Sequence, residues 1–510
     1  MSTQKLKLIL LPDSFNLELH IAQYPPEQCD FSSNLRFKKD KAYYFLELIS
    51  SIASRNPDIV TEDGYTPINQ KTIRDGDKQR GLKCIKDIKA YIDYLITTGV
   101  ILCNGIYSKR AKKSLGYKWA AQYSLHRYSV KFIECKYADS FISNYSQQYR
   151  TYPYLFHWYQ QNRLMIDDTA EVYAYQLYIE RMNDLTKLSW DVNNDGERKD
   201  PESQYRSAIL NIAKIKHQQY EAHIDINVGR LHSAFTGLGK KYRHFVTYDG
   251  KKLVCIDITN SQPYLVSLIL NKDFWSENST LPINIKTLPL HIWASLITPM
   301  EAMDMIRDFF KTVDESRFAE YKKLVSSGKF YEKFVEEARG LGKTITREEA
   351  KVSMFYTIYS SNRYPKNLFL KQMKIIFNRV FPEVAELFKI IKHEYEIFRD
   401  IEEIGGKQHN KLACLLQYIE SQIILHNCCK RIWIEGNQQV PIFTIHDSIV
   451  TTLENKDFVK SIMEEELTRA IGISPKLSEE YWREENLDYS ISPESPSNSI
   501  EEINAILEGL

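Results

Sequence analysis

Three short stretches of this chain carry side chains suited to chemistry. The first, Leu253-Val-Cys-Ile-Asp257-Ile-Thr-Asn-Ser-Gln-Pro-Tyr264, is an apolar strand running into a helix that Asn260 or Ser261 can cap, with Pro263 suited to the first turn. Asp257 is then held at a strand end, where a carboxylate also serves simply as cap or turn former. The second, Ile442-Phe-Thr-Ile-His446-Asp447-Ser448-Ile-Val-Thr, reads as strand, turn and strand, with His446 and Asp447 at the hairpin tip. By itself that pair is equally a satisfied turn. Taken together, two aspartates 190 positions apart, each ending a buried strand, can meet on adjacent strands of one sheet. Paired carboxylates on rigid strands are what two Mg2+ ions about 4 Å apart require, one to activate an attacking oxygen and one to neutralise the leaving one. The third stretch opens with the capping box Thr346-Arg-Glu-Glu349, after which Arg347, Lys351, Phe355 and Tyr359 recur every four residues. On a helix they form one stripe about 18 Å long. Two cations followed by two rings can grip a triphosphate, sugar and base; the same pattern also fits an ordinary amphipathic helix.

The order Asp, then Arg-x-x-x-Lys-x-x-x-Phe-x-x-x-Tyr, then His-Asp resembles motifs A, B and C of family A DNA polymerases and the related single-subunit phage and mitochondrial RNA polymerases. Gly229-Arg230-Leu231-His232-Ser233 resembles that family's Thr-Gly-Arg-Leu-Ser-Ser segment, and Leu416-Gln417-Tyr-Ile-Glu420-Ser421 its Gln-bearing helix. The resemblance covers roughly residues 150 to 480. It implies a helix-rich α+β right hand, with an antiparallel palm sheet and helical fingers and thumb. Asp257, Asp447 and Ile258 would hold two Mg2+ ions, with Mn2+ as a possible substitute. Arg347 and Lys351 would hold the incoming triphosphate, Lys351 aiding departure of pyrophosphate. Phe355 and Tyr359 would line the nucleotide pocket, while Arg230, Gln417 and His446 would touch the primer-template.

This sequence departs from the family pattern at several points. Tyr264 stands where, two residues further on than usual, the sugar-selecting Glu is sought, and its ring could block a 2'-hydroxyl. Ser360 replaces the usual Gly after motif B, and Ser448 follows Asp447 as in the RNA polymerases, whereas Phe355 favours the DNA enzymes. The expectation is a template-directed DNA polymerase of a phage or mobile element. A single-subunit RNA polymerase is the alternative, and a non-catalytic replication initiator with a decayed palm is the second. The first 150 residues carry no Asp-x-Glu set suited to a proofreading nuclease, so none is expected.

Around these motifs, 510 residues allow two to four domains, and 43% apolar content is that of a globular protein. A net charge of +1 gives no global field to attract a polyanion, so any nucleic-acid site must be local. Eight cysteines without a C-x-x-C pair indicate neither a disulfide framework nor a zinc ribbon, and fit a reducing cytoplasm. No stretch reads as a membrane span. Residues 41–56 and 84–98 read as helices, followed by a strand at Val100 to Cys103 and a turn at Asn104-Gly105. Then come Lys109, Arg110, Lys112, Lys113 and Lys118, interleaved with Tyr107, Tyr117 and Trp119. This fits a winged-helix-like module whose wing meets phosphates while its aromatics stack or wedge; a solvated basic loop fits equally. Asp191, Asn193, Asp195, Gly196 and Glu202 match a calcium-loop spacing, although Arg198 and Pro201 favour a plain connector. The expected organisation is a winged-helix-like DNA-binding domain (1–150), a helical thumb-like region (151–245), and a palm and fingers core (246–488). An acidic linker and short amphipathic helix come last (489–510), opened by the capping box Ser499 to Glu502; the helix packs on its own chain or docks on a protein partner.

Overall fold

The computed structural model describes residues 7–29, 31, 36–55, 59–76, 84–108, 113–123, 127–133, 147–191, 198–297, 301–361, 363–393 and 410–483. Near the N-terminus, β1 (Lys7–Pro12) pairs antiparallel with β5 (Tyr128–Ile133), and between them lie α1 (Leu17–Gln23), α2 (Lys39–Arg55), β2 (Thr66–Pro67), α3 (Gln70–Asp75), α4 (Ile88–Thr97), β3 (Ile101–Cys103) and β4 (Gly116–Trp119). Strands β2, β4 and β3 form one antiparallel sheet in that order. The expected turn at Asn104-Gly105 is instead the start of a longer connection, in which Ser108 bridges Lys113. Alternation decides which aromatics of this hairpin are usable: Tyr117 and Trp119 lie on the covered face of β4 and are buried, so neither can stack on a ligand. Tyr107 and Ile106 remain exposed.

Next come α5 (Pro153–Gln160), β6 (Leu164–Ile166), α6 (Thr169–Asn183), α7 (Pro201–Lys216), β7 (His223–Ile224) and β8 (Leu231–His232). Helix α2 packs on α7, so the N-terminal elements share a continuous apolar core with the middle of the chain. The start of α7 removes the calcium reading, because the two loop carboxylates at its ends are committed to the protein's own groups. Asp191 pairs with Arg181 (2.8 Å) and accepts from Gln204 (2.8 Å). Glu202 accepts from Tyr128 (2.6 Å) and Arg206 (3.2 Å). Asn193, Asp195 and Gly196 lie outside the described residues.

A larger antiparallel sheet has the strand order β11-β12-β10-β9-β6, with β13 also paired to β10. Its strands are β9 (Val246–Tyr248), β10 (Lys251–Ile258), β11 (Ile442–Ile445), β12 (Ser448–Thr452) and β13 (Leu477–Tyr481), joined by β6 from the earlier stretch. The β9–β10 turn is Asp249-Gly250 with φ of 53° and 73°, the two left-handed residues that match the twist of a two-residue hairpin. Helix α8 (Ser261–Ile269) leaves the end of β10, and every one of its residues is buried.

The remaining helices stand beside this sheet: α9 (Leu290–Ile297), α10 (Glu301–Thr312), α11 (Ala319–Ser327), α12 (Phe330–Gly340), α13 (Arg347–Tyr359), α14 (Leu368–Val380), α15 (Pro382–Ile391), α16 (Asn410–Ser421), α17 (Cys429–Glu435) and α18 (Lys456–Ile471). A seven-residue π-helical segment, Gln422–Cys428, joins α16 to α17. The fold is thus helix-rich α+β around an antiparallel sheet. Among the described residues, no helix is long and apolar enough to cross a membrane. Residues 489–510 lie outside them, with the expected C-terminal helix.

Candidate active site

Register brings the two aspartates together. In the β10–β12 ladder Asp257 lies opposite Ser448, and Asp447 immediately precedes Ser448 in the two-residue turn after β11. His446, the first turn residue, has φ 54° and is exposed at the apex. Both carboxylates are half-buried and keep a solvent-accessible face. Their acidities report the crowding: burial, then the field of Asp447, raises the pKa of Asp257, with Glu480 adding to the rise and Lys351 opposing it. Burial likewise raises Asp447, opposed by Ser261, Arg230 and Lys351. The Ser261 hydroxyl approaches Asp447 without closing a hydrogen bond. Two close carboxylates cannot both ionise comfortably unless positive charge joins them.

The turn into α8 also departs from expectation. Asn260 precedes the helix at φ 57°, but its side chain makes no capping bond, and both its polar atoms are buried without a partner, as is Oε1 of Gln262. Buried amide groups of this kind are normally satisfied, so the polar lining beside Asp257 is shaped for something beyond the protein's own atoms. Two mutually repelling carboxylates of this kind suit hard divalent cations.

The cation acting on both aspartates comes from α13, whose capping box forms as expected: Glu349 N donates to Thr346 Oγ1 (3.1 Å) and Thr346 N to Glu349 Oε2 (2.7 Å). The stripe is on its open side. Lys351 is exposed, and its charge acts on both aspartates while its ammonium lies 5.9 Å from the Phe355 ring. Phe355 and Tyr359 are half-buried and stack at 5.8 Å. Arg347 gives its Nε to Glu332 (2.9 Å) and lies over the Tyr331 ring (5.3 Å), leaving its terminal nitrogens for a ligand. The far end of α13 is held by two buried lysines that the motif reading missed. Lys392 donates to the carbonyls of Ser360 (2.7 Å) and Thr357 (3.2 Å), and Lys374 donates to Ser361 O, Ser360 Oγ and Arg363 O. Cations at a helix C-terminus satisfy its orphan carbonyls and fix its rotation, and hence the direction of the stripe.

Arg230 is anchored twice. Its backbone belongs to the β7–β8 loop, where Gly229 has φ 72° and Asp225 accepts from the amides of Asn227 (2.8 Å), Val228 (2.9 Å) and Arg230 (2.8 Å). Its guanidinium forks onto Glu420 through Nε and Nη2, both at 2.9 Å. Although burial opposes it, His232 and these amides hold Asp225 down at about 2 from an ordinary 3.8. A depressed carboxylate stabilises the fold fully above its unfolded pKa and loses that contribution as pH falls toward 2. The Asp225→Asn variant is therefore expected to lose about 1 to 3 kcal/mol at neutral pH. Acid-titrated melting should show its deficit shrinking below pH 4, and a deficit constant with pH would contradict the assignment.

Gln417 is half-buried one turn before Glu420 on α16. His446 has its pKa pushed down to about 4 by the surrounding protein and by Arg230, His232 and Arg243, so its ring is neutral at pH 7. Tyr264 does not join the site: its ring is fully buried, and its hydroxyl donates to Ile473 O (2.8 Å) beneath the sheet. A Tyr gate over the sugar is thereby excluded. Gln262, two residues earlier, faces the site instead, donating through Nε2 to Glu420 (2.5 Å). Of the basic hairpin, Lys113 is exposed, and Lys118 is occupied by Asp63 O (2.9 Å) and the Tyr65 ring (4.5 Å). Lys109, Arg110 and Lys112 lie outside the described residues. Sequence reading also passed over Glu420 and Tyr331 as functional groups; the signal for Glu420 was its place one turn after Gln417, on the same helix face.

No protein-family model matches this chain, and no curated protein does. Among solved structures it is similar to the POL domain of Pol1 from M. smegmatis in complex with DNA primer-template and dNTP. The identity is 15%, the match covers 68% of this chain and 66% of that one, and the TM-score is 0.27. The chain spans just under two thirds of that structure.

Proposed function

We propose that this protein is a template-directed nucleotidyltransferase of the family A polymerase type, making DNA. The observation that carries the reading is the convergence of Asp257 and Asp447 on neighbouring strands, within electrostatic reach of Lys351. In this reading the sheet of β6 and β9 to β13 is the palm and the α12 to α14 region the fingers. Asp257, Asp447 and the main chain of Ile258 would hold two Mg2+ ions, or Mn2+ in their place, which would neutralise charge on the attacking and leaving oxygens. The chain's own groups do the rest. Arg347 and Lys351 orient the triphosphate of an incoming nucleotide, and Lys351 gives positive charge and a proton to the departing diphosphate. The Phe355 and Tyr359 rings lie against base and sugar. Arg230, Gln417 and the neutral His446 contact the primer-template, which an uncharged ring does by hydrogen bonding and not by ion pairing.

The N-terminal order α2, β2, α3, α4, β3, β4, with its three-stranded antiparallel sheet, supports a winged-helix reading of that region. Helix α4, where a recognition helix would lie, buries most of its residues, and its exposed Lys89 is paired with Asp93. Contact with nucleic acid would therefore fall to the hairpin between β3 and β4, with exposed Ile106 and Tyr107. An RNA polymerase is the second reading, kept because Ser448 follows Asp447 and because Tyr264 is no sugar gate.

Primer extension on a primed template with Mg2+ tests the proposal. Deoxynucleotide-dependent product is the expected result, ribonucleotide-only product transfers the assignment to the RNA enzymes, and no product with either sinks both. In the same assay, neutralising Lys109, Arg110, Lys112 and Lys113 should flatten the salt dependence of template binding by about 0.9 in slope for each lost phosphate contact.

A further inference from the structure

Glu420 is the most enclosed acid around the site, at 1% exposure. Burial first, then Asp447, push its pKa up to about 8 against Arg230 and Gln262, yet both its oxygens accept N–H donors, two from Arg230 and one from Gln262, which is the arrangement of an ionised carboxylate. A carboxylate so placed is retained against a cost in desolvation, and what it does with its charge is geometric. It fixes a guanidinium by two parallel bonds, a fork that also sets the plane of the group. Two N–H donors on Nη1 and one on Nη2 are left over. The charge so fixed acts on Asp447 and His446 of the β11–β12 turn and on Tyr359 at the end of α13. Glu420 thus ties α16 to the β7–β8 loop and, through Gln262, to the first turn of α8, which follows the strand that carries Asp257.

We propose that Glu420 is a positioning residue: it holds the Arg230 guanidinium near Asp447 and Tyr359 in the orientation that receives the primer-template, and holds Gln262 beside it. This rests on the nucleotidyl-transfer reading above. Arg230 then meets nucleic acid with its side-chain entropy already spent, so the consequence of releasing it falls on template engagement first.

Steady-state extension with the full chain, Mg2+ and a primed template tests this. The Glu420→Gln variant keeps the shape but removes the charge, and is expected to raise KM for the primed template by about 10- to 100-fold with a smaller change in kcat. Glu420→Asp, which keeps the charge, should recover part of the loss. In an Arg230→Ala background Glu420→Gln should add nothing, since Glu420 acts through that arginine. Arg230→Lys, which keeps the positive charge but cannot fork, should reproduce the defect, and decides the matter if Glu420→Gln does not fold. A Glu420→Gln or Arg230→Lys enzyme with the parent's KM, or additive losses in the double variant, would overturn the positioning role while leaving the polymerase reading intact. Failure of the parent itself to extend a primer removes that reading and this proposal with it.

Discussion

Replacing Asp257 or Asp447 with Asn is expected to lower primer extension by at least about 10^3-fold, while the melting temperature measured without divalent cations stays unchanged or rises. The two halves of this prediction have one cause. Each carboxylate is held in a setting where burial and the other's charge disfavour ionisation, so the apo protein gains nothing from having both. An Asn of the same shape removes one charge and relieves the survivor. The site's use for both charges appears only when divalent cations bring opposite charge to the pair. Adding Mg2+ should accordingly raise the melting temperature of the parent, by mass action on the folded state, and raise it much less in either variant. An Asn variant that extends primers at the parent rate would end the assignment of these residues.

Truncating Lys351 to Ala should cost about 10^2- to 10^4-fold in kcat with stability changed by no more than about 0.5 kcal/mol. Lys351 is exposed on α13, and the aromatic ring it overlies, Phe355, remains stacked on Tyr359 without it, so its removal opens no cavity. The field of its ammonium reaches both aspartates, and the leaving diphosphate would lie beside it in the proposed reaction. Lys351→Arg preserves charge but not the compact donor, and should fall between parent and Ala. Single-turnover extension at saturating nucleotide separates kcat from binding. A parent-like Lys351→Ala enzyme would withdraw the leaving-group role and leave the aspartates untouched.

The local elements of the site were readable because their causes lie within a few residues. Thr346 and Glu349 close a capping box across one turn, so the start of α13 and the four-residue stripe follow from spacing alone. Ile442 to Thr452 alternates around a polar pair, and the hairpin forms with His446 and Asp447 at its tip. Tyr264 shows where such reasoning stops. It lies on α8, a helix buried on every side, so no apolar stripe marks an inner face, and only packing against the 473 region decides that Tyr264 turns inward while Gln262 turns to the site. Tyr117 and Trp119 likewise sit among lysines in the chain, yet point into the core of the N-terminal sheet.

The amino-acid order by itself determined the strand ends that carry Asp257 and Asp447, the capped helix with its cations and rings, and the helix-rich α+β class, because caps, turns and periodicity act between near neighbours. The tertiary structure alone decided that β10 and β12 align Asp257 with Ser448, that Glu420 takes Arg230 and Gln262, and that Lys374 and Lys392 clamp the end of α13. Those pairings join residues tens to hundreds of positions apart, and they depend on which surfaces are buried together, a quantity that does not exist until the elements have packed.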